Sequence, residues 1–569
     1  MPTSPSDPAA RAGRADPTGL PAPAAAPAPL PVAVPAPAAA PAAVSASGPA
    51  PARADLAIAG AGPGRLAASP AGHPAAASDS PVVAPAGGPP GPAASPAAAS
   101  AAAPAAGPGA AAFDLAVVGA GPAGLAAAVT AAGLGLRVAV LDAGDRPGGQ
   151  YYRHPAPGLG AARPEALHHG WAEFARREAA LRAHESAGRI TYLPAHHVWA
   201  VVPAGGPGWT LHAVAGPEEA AAVLHARAVL LATGSYERQL PFPGWTLPGV
   251  VGAGGAQAML KGGLVLPGKR VVVAGSGPLL LAVAGSLAAA GARVPAVVEA
   301  AAYTAYAGHL PTLLRNPGKL AEAATHGSAL LRRRIRLLTR HAVTEAHGTD
   351  RVEAVTVARL DRDWRPLPGT ARRIPCDALA VGHGLVPQLE LATGLGCATR
   401  RTADGTVALA LDAEQRTSVP GIWSAGETGG IGGAQLALLE GEIAAHAIAG
   451  RPAPTALAGR RARLRAFAGA MGAAHRPGEG WTGWLRDDTV VCRCEEVPAG
   501  RIREAVADLG ARDARTVKLL TRCGMGWCQG RMCGPAVAAL AGGEPAPDRR
   551  PLSCPVPLRH LAELPPADG

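Results

Sequence analysis

Cysteine is missing from this 569-residue chain until Cys376, although the chain contains eight cysteines in all. The N-terminus lacks a basic segment followed by an apolar core, and no apolar run reaches about 18 residues without a helix breaker. In so large a chain without a signal peptide, the cysteines do not fit a secreted disulfide framework. We expect a cytoplasmic protein without a transmembrane segment, with peripheral attachment to the inner face of a membrane as the alternative.

Residues 1–112 lack aromatic side chains and long aliphatic runs and consist almost entirely of Ala, Pro, Gly and Ser. Such a composition cannot bury enough apolar surface to offset the entropy lost on folding, so we predict a disordered tail. A nucleotide-fingerprint-like stretch at Gly60 and Gly62 lies within it, but Arg65 replaces the third glycine and Pro70 would stop the helix. We predict that this stretch binds nothing.

The net charge of +11 comes mainly from scattered arginines. The tight cluster of residues 332–334 with Arg336 has no aromatic residues between its members. Single-stranded nucleic acids are usually bound by basic surfaces that also carry stacking aromatics. We interpret the cluster as a solvated face and expect no nucleic-acid partner.

Five of the eight cysteines fall near the C-terminus, as Cys492-Arg-Cys494 and then Cys523, Cys528 and Cys533 in a glycine-rich stretch. Thiolates are the natural ligands of iron-sulfur clusters, and a Cys-x-Cys pair with a second glycine-rich pair can bring four of them together. A structural zinc site is the alternative, although zinc more often uses Cys-x-x-Cys knuckles or histidines. The spacing favours a [2Fe-2S] centre and electron transfer.

A dinucleotide-binding fingerprint begins at Phe113, where a short apolar run leads into Gly-x-Gly-x-x-Gly, an Ala-rich helix and a second strand that ends at Asp142. The first glycine permits a tight turn, the second lets the backbone approach a pyrophosphate, and the third allows close packing of helix on strand. The helix N-terminus then faces the phosphates, and the acid can bind the ribose hydroxyls. The predicted nucleotide-binding residues are Gly119, Gly121, Pro122, Ala123, Gly124 and Asp142.

Three later features favour FAD over NAD as the nucleotide. A Pro-Gly-Gly-Gln stretch follows the acid, Ala-Thr-Gly closes an apolar strand, and a strand-like run ends in Ala-Gly-Glu before a glycine-rich segment. Together they resemble the flavoproteins of the glutathione-reductase type, which have two dinucleotide-binding domains. The further FAD-binding residues that this resemblance implies are Gly149, Gln150, Thr233, Gly234, Gly426, Glu427 and Gln435.

Glu427 stands where the superfamily has an aspartate that binds the ribityl chain, so its longer side chain leaves that contact open. A helix that begins near Ala434 would point its positive end at the flavin ring and stabilise the reduced anion. The alternative reading is a flexible loop before a helix.

A second fingerprint at Gly275 and Gly277 lacks its third glycine, because Leu280 occupies that position. Helix and strand normally make their closest contact at this position. We therefore expect the leucine side chain to force the turn open, so that it binds a pyrophosphate poorly. Use of NAD(H) is therefore doubtful, and the alternatives are a retained but non-catalytic domain or one that holds another adenine nucleotide. If a pyridine nucleotide binds, Glu299 at the end of the next strand favours NAD over NADP, since a carboxylate repels a 2′-phosphate.

Catalytic residues remain unknown from the sequence. Flavoprotein disulfide reductases need a redox cysteine pair against the flavin, and Cys376 and Cys397 are isolated in apolar runs, which predicts buried, unreactive thiols. No Ser-His-Asp or metalloprotease spacing is present. The histidines available for acid-base work are expected to have surface or capping roles. They are His168, His169, His196, His197 and His383.

The motifs taken together resemble the large A-type subunits of opine oxidases, hydrogen cyanide synthase and heteromeric hydroxyproline or proline dehydrogenases. The likeness covers roughly residues 113–560, and its most specific part is the ending that runs from Cys-Arg-Cys-Glu-Glu-Val to Thr-Arg-Cys-Gly-Met-Gly-x-Cys-Gln-Gly-Arg-Met-Cys-Gly. The resemblance implies FAD, a [2Fe-2S] domain like that of bacterioferritin-associated ferredoxin, and a partner subunit that is a second FAD-dependent, amino-acid-oxidase-like protein.

The resemblance also implies the cluster ligands and the role. Cys492, Cys494, Cys528 and Cys533 match the ligand positions, which leaves Cys523 as the alternative ligand. Trp527 would shield the cluster from water. The chain is then expected to be an electron-transferring subunit for oxidation of an amine or amino acid. A self-sufficient NADH-dependent reductase and a non-catalytic redox sensor or scaffold remain the alternatives.

The predicted fold class is α/β, with two Rossmann-like domains of the glutathione-reductase type, a small helical [2Fe-2S] domain and the disordered tail. The predicted boundaries are 1–112 for the tail, 113–250 and 386–450 for the two parts of the FAD domain, 251–385 for the second dinucleotide-binding-like domain, 451–487 for a linker, 488–545 for the cluster domain and 546–569 for a C-terminal tail.

Overall fold

A computed structural model describes residues 113–562 apart from 169, 544–549 and 551. The predicted tail at 1–112, the fingerprint-like stretch within it and much of the predicted C-terminal tail therefore lie outside the described residues. No helix in the described part is both long and apolar enough to cross a membrane.

The strands of the described residues fall into two parallel-centred sheets and several short antiparallel pairs. They are β1 (Phe113–Val118), β2 (Val138–Leu141), β3 (Ile190–Leu193), β4 (His196–Pro203), β5 (Trp209–Ala215), β6 (Ala220–Leu231), β7 (Ser235–Glu237), β8 (Val250–Gly252), β9 (Val271–Gly275), β10 (Ala296–Glu299), β11 (Arg336–Thr339), β12 (His341–His347), β13 (Ala354–Arg359), β14 (Arg372–Pro375), β15 (Ala378–Gly382), β16 (Leu385–Pro387), β17 (Thr399–Arg401), β18 (Val407–Leu409), β19 (Ile422–Ser424), β20 (Val490–Cys492) and β21 (Val497–Pro498).

The α-helices cover the sheets and build the C-terminal region. They are α1 (Pro122–Gly133), α2 (Trp171–Ser186), α3 (Ala253–Gly263), α4 (Leu279–Ala289), α5 (Leu310–Leu314), α6 (Pro317–Arg332), α7 (Glu390–Gly394), α8 (Ala434–Ile448), α9 (Thr455–Ala474), α10 (Ala499–Ala507), α11 (Ala514–Thr521), α12 (Gly534–Leu540) and α13 (Leu558–Ala562).

The first sheet has the order β3-β2-β1-β6-β5-β4, and β19 also pairs with β6. Strands β1 and β2 are apolar along almost their whole length and buried on both faces, as parallel central strands are. The C-terminal half of β6 runs parallel to β1, whereas its first half pairs antiparallel with β5. Because β19 lies late in the chain, this sheet is assembled from two separate segments.

The second sheet is parallel, in the order β11-β10-β9-β15-β8. The antiparallel strands β12, β13 and β14 form a small separate sheet. Strand β7, where the chain leaves the first sheet, pairs antiparallel with β16, where the chain returns towards it. The exact domain boundaries stay predictions.

The segment predicted as a linker is largely structured. Helix α9 occupies twenty of its residues and buries Leu464, Ala470 and Ala474. The sequence of this helix is rich in Ala, Arg and Leu, which are strong helix formers, and holds no proline. A short 3-10 helix (Glu479–Trp484) follows and buries two tryptophans. Most of the predicted linker is therefore helical.

The C-terminal region consists of the β20-β21 hairpin and helices α10, α11 and α12 around one apolar core. Trp484 belongs to that core, and its indole N–H donates to the Trp364 carbonyl over 2.9 Å. Trp245 donates to the Val490 carbonyl over 2.6 Å. These bonds attach the C-terminal region to the rest of the body.

Candidate functional site

The first fingerprint turn lies between β1 and α1 and depends on glycine at two places. Gly119 has a φ of 104°, and a Cβ there would lie 2.4 Å from the Ala232 oxygen. A Cβ on Gly124 would lie 1.8 Å from the Gly119 oxygen, so α1 can approach the strand only because that side chain is absent. A Cβ on Gly121 would meet nothing within 4 Å, so this side of the turn is open.

Asp142 holds the turn from the end of β2. Its Oδ2 accepts a hydrogen bond from the Ala120 N–H and its Oδ1 one from the Gly144 N–H, both over 2.7 Å. Burial raises the pKa of this carboxyl, and the two backbone bonds oppose that rise. Each oxygen keeps a further lone pair that can accept from a ribose hydroxyl.

The other predicted FAD-binding residues gather at the same carboxyl edge of the first sheet. A Cβ on Gly149 would lie 2.8 Å from the Gly121 Cα, so this segment rests on the turn. Thr233 donates from its hydroxyl to the Gln388 carbonyl over 2.8 Å, and Gly234 has open space where a Cβ would stand. Gln150 is exposed and accepts from the Arg153 guanidinium.

Glu427 has contacts that its position alone does not predict. The Gly432 N–H donates to its Oε2 over 2.6 Å, and the Gly433 N–H donates to its Oε1 over 3.0 Å. Burial raises the pKa of this carboxyl, against the pull of those two bonds. Glu427 therefore holds the glycine-rich loop immediately before α8, which begins at Ala434, and Gln435 is exposed at that helix start.

These contacts fit the diphosphate and ribose of FAD. Open space over Gly121 and Gly234 lies beside the N-terminus of α1, whose backbone N–H groups favour phosphate, while Asp142 provides acceptors for hydroxyls. The residue-by-residue assignment of FAD ligands stays a prediction.

The second fingerprint turn differs from the first. Gly277 has a φ of 118°, whereas the matching Gly121 has a φ of −70°. Helix α4 begins at Leu279, one position later in the pattern than α1 does, and Leu280 is fully buried behind the turn. Gly275 packs so tightly that a Cβ would lie 1.7 Å from the Gly382 oxygen.

The space in front of this second turn is taken by side chains of the same chain. The His475 Nδ1 lies 3.5 Å from the Glu299 Oε1 and 3.2 Å from the Ser276 Oγ. The His475 Nε2 lies 2.7 Å from the Tyr306 hydroxyl, which in turn donates to the Met471 sulfur over 3.0 Å. The Glu299 carboxylate also accepts from two backbone N–H groups. Glu299 differs from Asp142 in that a side chain, His475, also lies against its carboxylate.

The cysteines form an inner group and an outer pair. The sulfurs of Cys492, Cys523 and Cys533 lie within 4.8 Å of one another and are buried. Cys494 is exposed and Cys528 half-buried, and the two residues are neighbours. Cys523, predicted as the spare thiol, therefore belongs to the inner group, and the structure does not bring the four predicted ligands into one compact set.

Two glycines let the cysteine loops meet. A Cβ on Gly526 would lie 2.3 Å from the Cys494 Cβ, so only glycine allows this approach. A Cβ on Gly524, which has a φ of 90°, would lie 3.6 Å from the Gly530 Cα. Burial raises the pKa of the Cys492 thiol, and the backbone N–H groups of Gly524 and Glu495 oppose that rise. N–H donors aimed at sulfur favour thiolate and tune the potential of iron-sulfur clusters.

Comparison with known proteins covers the regions that contain both sites. The model of the family described as pyridine nucleotide-disulphide oxidoreductase matches residues 113–441. The chain belongs to this family. A BFD-like [2Fe-2S] binding domain matches residues 490–541. The chain is an FAD-dependent oxidoreductase that carries a [2Fe-2S] domain.

Two similar proteins align with this chain over most of their own length. The chain is 37% identical to hydrogen cyanide synthase subunit HcnB of Pseudomonas aeruginosa over 428 residues, which cover 73% of this chain and 90% of that protein. It is 34% identical to the A subunit of opine oxidase from Rhizobium meliloti, with coverage of 80% and 88%. The resemblance predicted from the motifs is confirmed.

The fold is also shared with a solved structure. L-proline dehydrogenase from P. horikoshii superposes with a TM-score of 0.55 at 22% identity, and the match covers 79% of each chain. This likeness supports the predicted fold class, with two dinucleotide-binding domains and a C-terminal cluster domain.

An acid that the sequence analysis missed organises the flavin side. Glu440 on α8 is fully buried, and its Oε1 accepts from Arg461 over 3.1 Å and Arg465 over 2.5 Å. Its Oε2 accepts from the Gly426 N–H. Arg465 also donates to the Gly430 carbonyl, so α9 holds the glycine-rich loop. No local pattern could reveal this, because the partners come from a segment predicted as a linker.

His383 and Trp527 were placed wrongly from the sequence. His383 is buried between Trp364 and Trp484, with ring centroids 6.2 and 6.1 Å away, and its Nδ1 has no partner among the described residues. Burial lowers its pKa to about 3, so it is neutral. Trp527 is 78% exposed and does not shield the cysteines. Cys376 and Cys397 are buried, as predicted.

Proposed function

We propose that this chain is the electron-transferring subunit of a heteromeric dehydrogenase that oxidises the C–N bond of an amine or amino acid, of the opine, hydroxyproline or glycine type. Two relatives, the A subunit of opine oxidase and hydrogen cyanide synthase subunit HcnB, carry names that support both a partner and this class of reaction. The partner would be a second FAD-dependent, amino-acid-oxidase-like protein. A cytoplasmic location belongs to the same proposal.

The observation that carries the proposal is the filled second nucleotide site. With His475 and Tyr306 in front of Glu299, a pyridine nucleotide has no free acid for its ribose. Electrons therefore enter from an organic substrate and not from NADH. This also argues against a self-sufficient NADH-dependent reductase.

The chain's own residues prepare the two redox sites. The turn at Gly119 and the acid at Asp142 would hold the FAD diphosphate and ribose, and Glu427 with Glu440 keeps the loop before α8 in place. We assign the cluster ligands as Cys492, Cys494, Cys528 and Cys533, supported by the family resemblance and by the contact of Cys494 with Cys528. When bound, the flavin takes two electrons and the cluster passes them on singly.

Expression with and without a partner tests this proposal. Purified alone, the chain should contain flavin, iron and sulfide yet oxidise no amino acid or opine. Co-expression with a candidate amino-acid-oxidase-like partner subunit should give dye reduction over many turnovers. Full activity of the chain by itself would contradict the subunit role. A colourless, zinc-containing protein would contradict the redox role altogether.

A further inference from the structure

A cavity of about 790 Å³ lies at the amino-terminal edge of the second sheet. Its walls come from the residues that lead into β10 and β11, from the end of α4 and from β14. The second fingerprint turn and Glu299 lie at the carboxyl ends of β9 and β10. The cavity is therefore at the opposite edge of the sheet from the nucleotide-type site.

Six arginines line this cavity, and no acidic side chain does. They are Arg293, Arg333, Arg334, Arg336, Arg372 and Arg373. Three of them belong to the cluster that the sequence analysis interpreted as a solvated face; the tertiary structure adds the other three from distant positions in the chain.

None of the six arginines forms an ion pair within the described residues. Arg333 donates to the Ala288 carbonyl over 2.7 Å, which fixes one guanidinium against the end of α4. All six are exposed to solvent. Two arginines that lie deeper in the protein are paired with acids instead: Arg238 with Asp404, and Arg465 with Glu440. The cavity thus collects positive charge that the described residues leave without a counter-charge.

Six exposed guanidinium groups around one space repel each other only weakly through solvent, but together they create a positive potential that attracts anions. Guanidinium groups also bind phosphate in a two-pronged geometry that suits it better than a single point charge. The cavity lining includes apolar side chains, with Val294, Ile335 and Ile374 among them, and can accept a carbon-rich portion of a ligand. The volume is that of a typical small-molecule site.

We propose that this cavity binds a small polyanion whose charge is carried by several neighbouring phosphate groups. Inorganic polyphosphate and nucleoside triphosphates share this chemistry. A nucleic acid fits less well, because the lining holds no aromatic residue on which a base could stack. The site is separate from both redox centres and is independent of the proposed reaction.

Calorimetric titration of the flavin- and iron-loaded chain with inorganic triphosphate and with ATP tests the proposal at low salt. The variant Arg372→Gln/Arg373→Gln removes two charges from the cavity. The control Arg359→Gln/Arg362→Gln removes two exposed charges outside the cavity lining. We expect binding that weakens at least tenfold in the first variant and less than twofold in the control, since phosphate binding depends on the local charges.

The outcomes distinguish inorganic polyphosphate from nucleotides as the ligand, and a phosphate site from a nucleic-acid surface. Equal binding of triphosphate and ATP assigns the site to the phosphate chain, and tighter binding of ATP assigns it to nucleotides. Absence of binding by both at about 1 mM, or binding that the cavity variant leaves unchanged, overturns the proposal. An RNA oligonucleotide that binds more tightly than triphosphate at the same arginines would also overturn it, in favour of a nucleic-acid surface.

Discussion

His475 and Glu299 lie 3.5 Å apart, nitrogen to carboxylate oxygen, in front of the second fingerprint turn. We predict that anaerobic NADH leaves the flavin of the wild-type protein oxidised in a stopped-flow experiment. Replacement of both His475→Ala and Tyr306→Phe frees the carboxylate and should strengthen NADH binding at least tenfold, about 1.4 kcal/mol. NADPH should gain nothing, because Glu299 repels its 2′-phosphate. Rapid bleaching of the wild-type flavin by NADH would refute this.

Gly124→Ala should abolish flavin binding, because the new Cβ would lie 1.8 Å from the Gly119 oxygen and push α1 away from the phosphate turn. Gly133→Ala, at the other end of the same helix, has nothing within 4 Å and serves as the control. There the loss of a flexible glycine should stabilise the fold by about 0.5 to 1 kcal/mol. Flavin absorbance per polypeptide measures the first effect. Retention of full flavin in Gly124→Ala would show that the turn is not the binding site.

Glu440→Gln should lower the free energy of unfolding by about 3 to 5 kcal/mol, since it leaves two arginines facing a buried neutral group. Glu442→Gln on the same helix breaks a more accessible pair with Arg177 and should cost about 1 kcal/mol or less. Urea unfolding followed by circular dichroism compares the two. We also expect faster flavin release from Glu440→Gln, because Gly426 and the glycine-rich loop lose their anchor. Equal losses of stability in both variants would contradict this account.

His383 should make the fold sensitive to acid. Burial lowers its pKa from 6.5 to about 3, so below pH 6.5 the unfolded chain binds a proton that the folded chain does not. Stability contributed by the neutral ring is complete above pH 6.5 and falls by about 1.4 kcal/mol per pH unit below it. His383→Gln should remove this part of the slope between pH 6.5 and about 3. Parallel stability curves for the two proteins would mean that the ring is protonated in the fold.

Cys523→Ser should keep the iron-sulfur cluster, whereas Cys528→Ser should lose it. The reason is that the assigned ligands include Cys528, while Cys523 lies beside Cys533 as a buried neighbour. Iron and sulfide analysis with electron paramagnetic resonance of the reduced protein measures both, and Cys554→Ser, which alters a buried cysteine elsewhere, is the control. Loss of iron in Cys523→Ser with retention in Cys528→Ser would assign the inner group as the ligands.

Patterns within short stretches predicted much of this protein correctly. The strand, turn and helix at Gly119 follow from local glycine spacing and apolar runs, as does the start of α8 at Ala434. The cysteine spacing predicted the [2Fe-2S] domain because ligands of such clusters come from short loops. Leu280 also predicted that the second turn would differ from the first, which its backbone angles show.

Contacts between distant segments could not be predicted in this way. Glu440 contacts Arg461 and Arg465 only because α9 packs against α8. The α9 sequence has high helix propensity but no strong apolar face, so it does not indicate which element the helix packs against. His383 packs against Trp364 and Trp484, and Trp484 comes from the segment predicted as a linker. Histidine is compatible with both surface and interior, so its type alone does not decide its environment.

The sequence by itself determined the fold class, the FAD turn and the presence of the [2Fe-2S] domain, because each depends on residues a few positions apart whose backbone geometry leaves few choices. Tertiary structure alone decided that His475 fills the second nucleotide site, that Cys523 joins Cys492 and Cys533, and that six arginines surround one cavity. In each of these cases tertiary packing brings together residues that lie far apart in the sequence, so the spacing of residues along the chain does not predict that they are close in space.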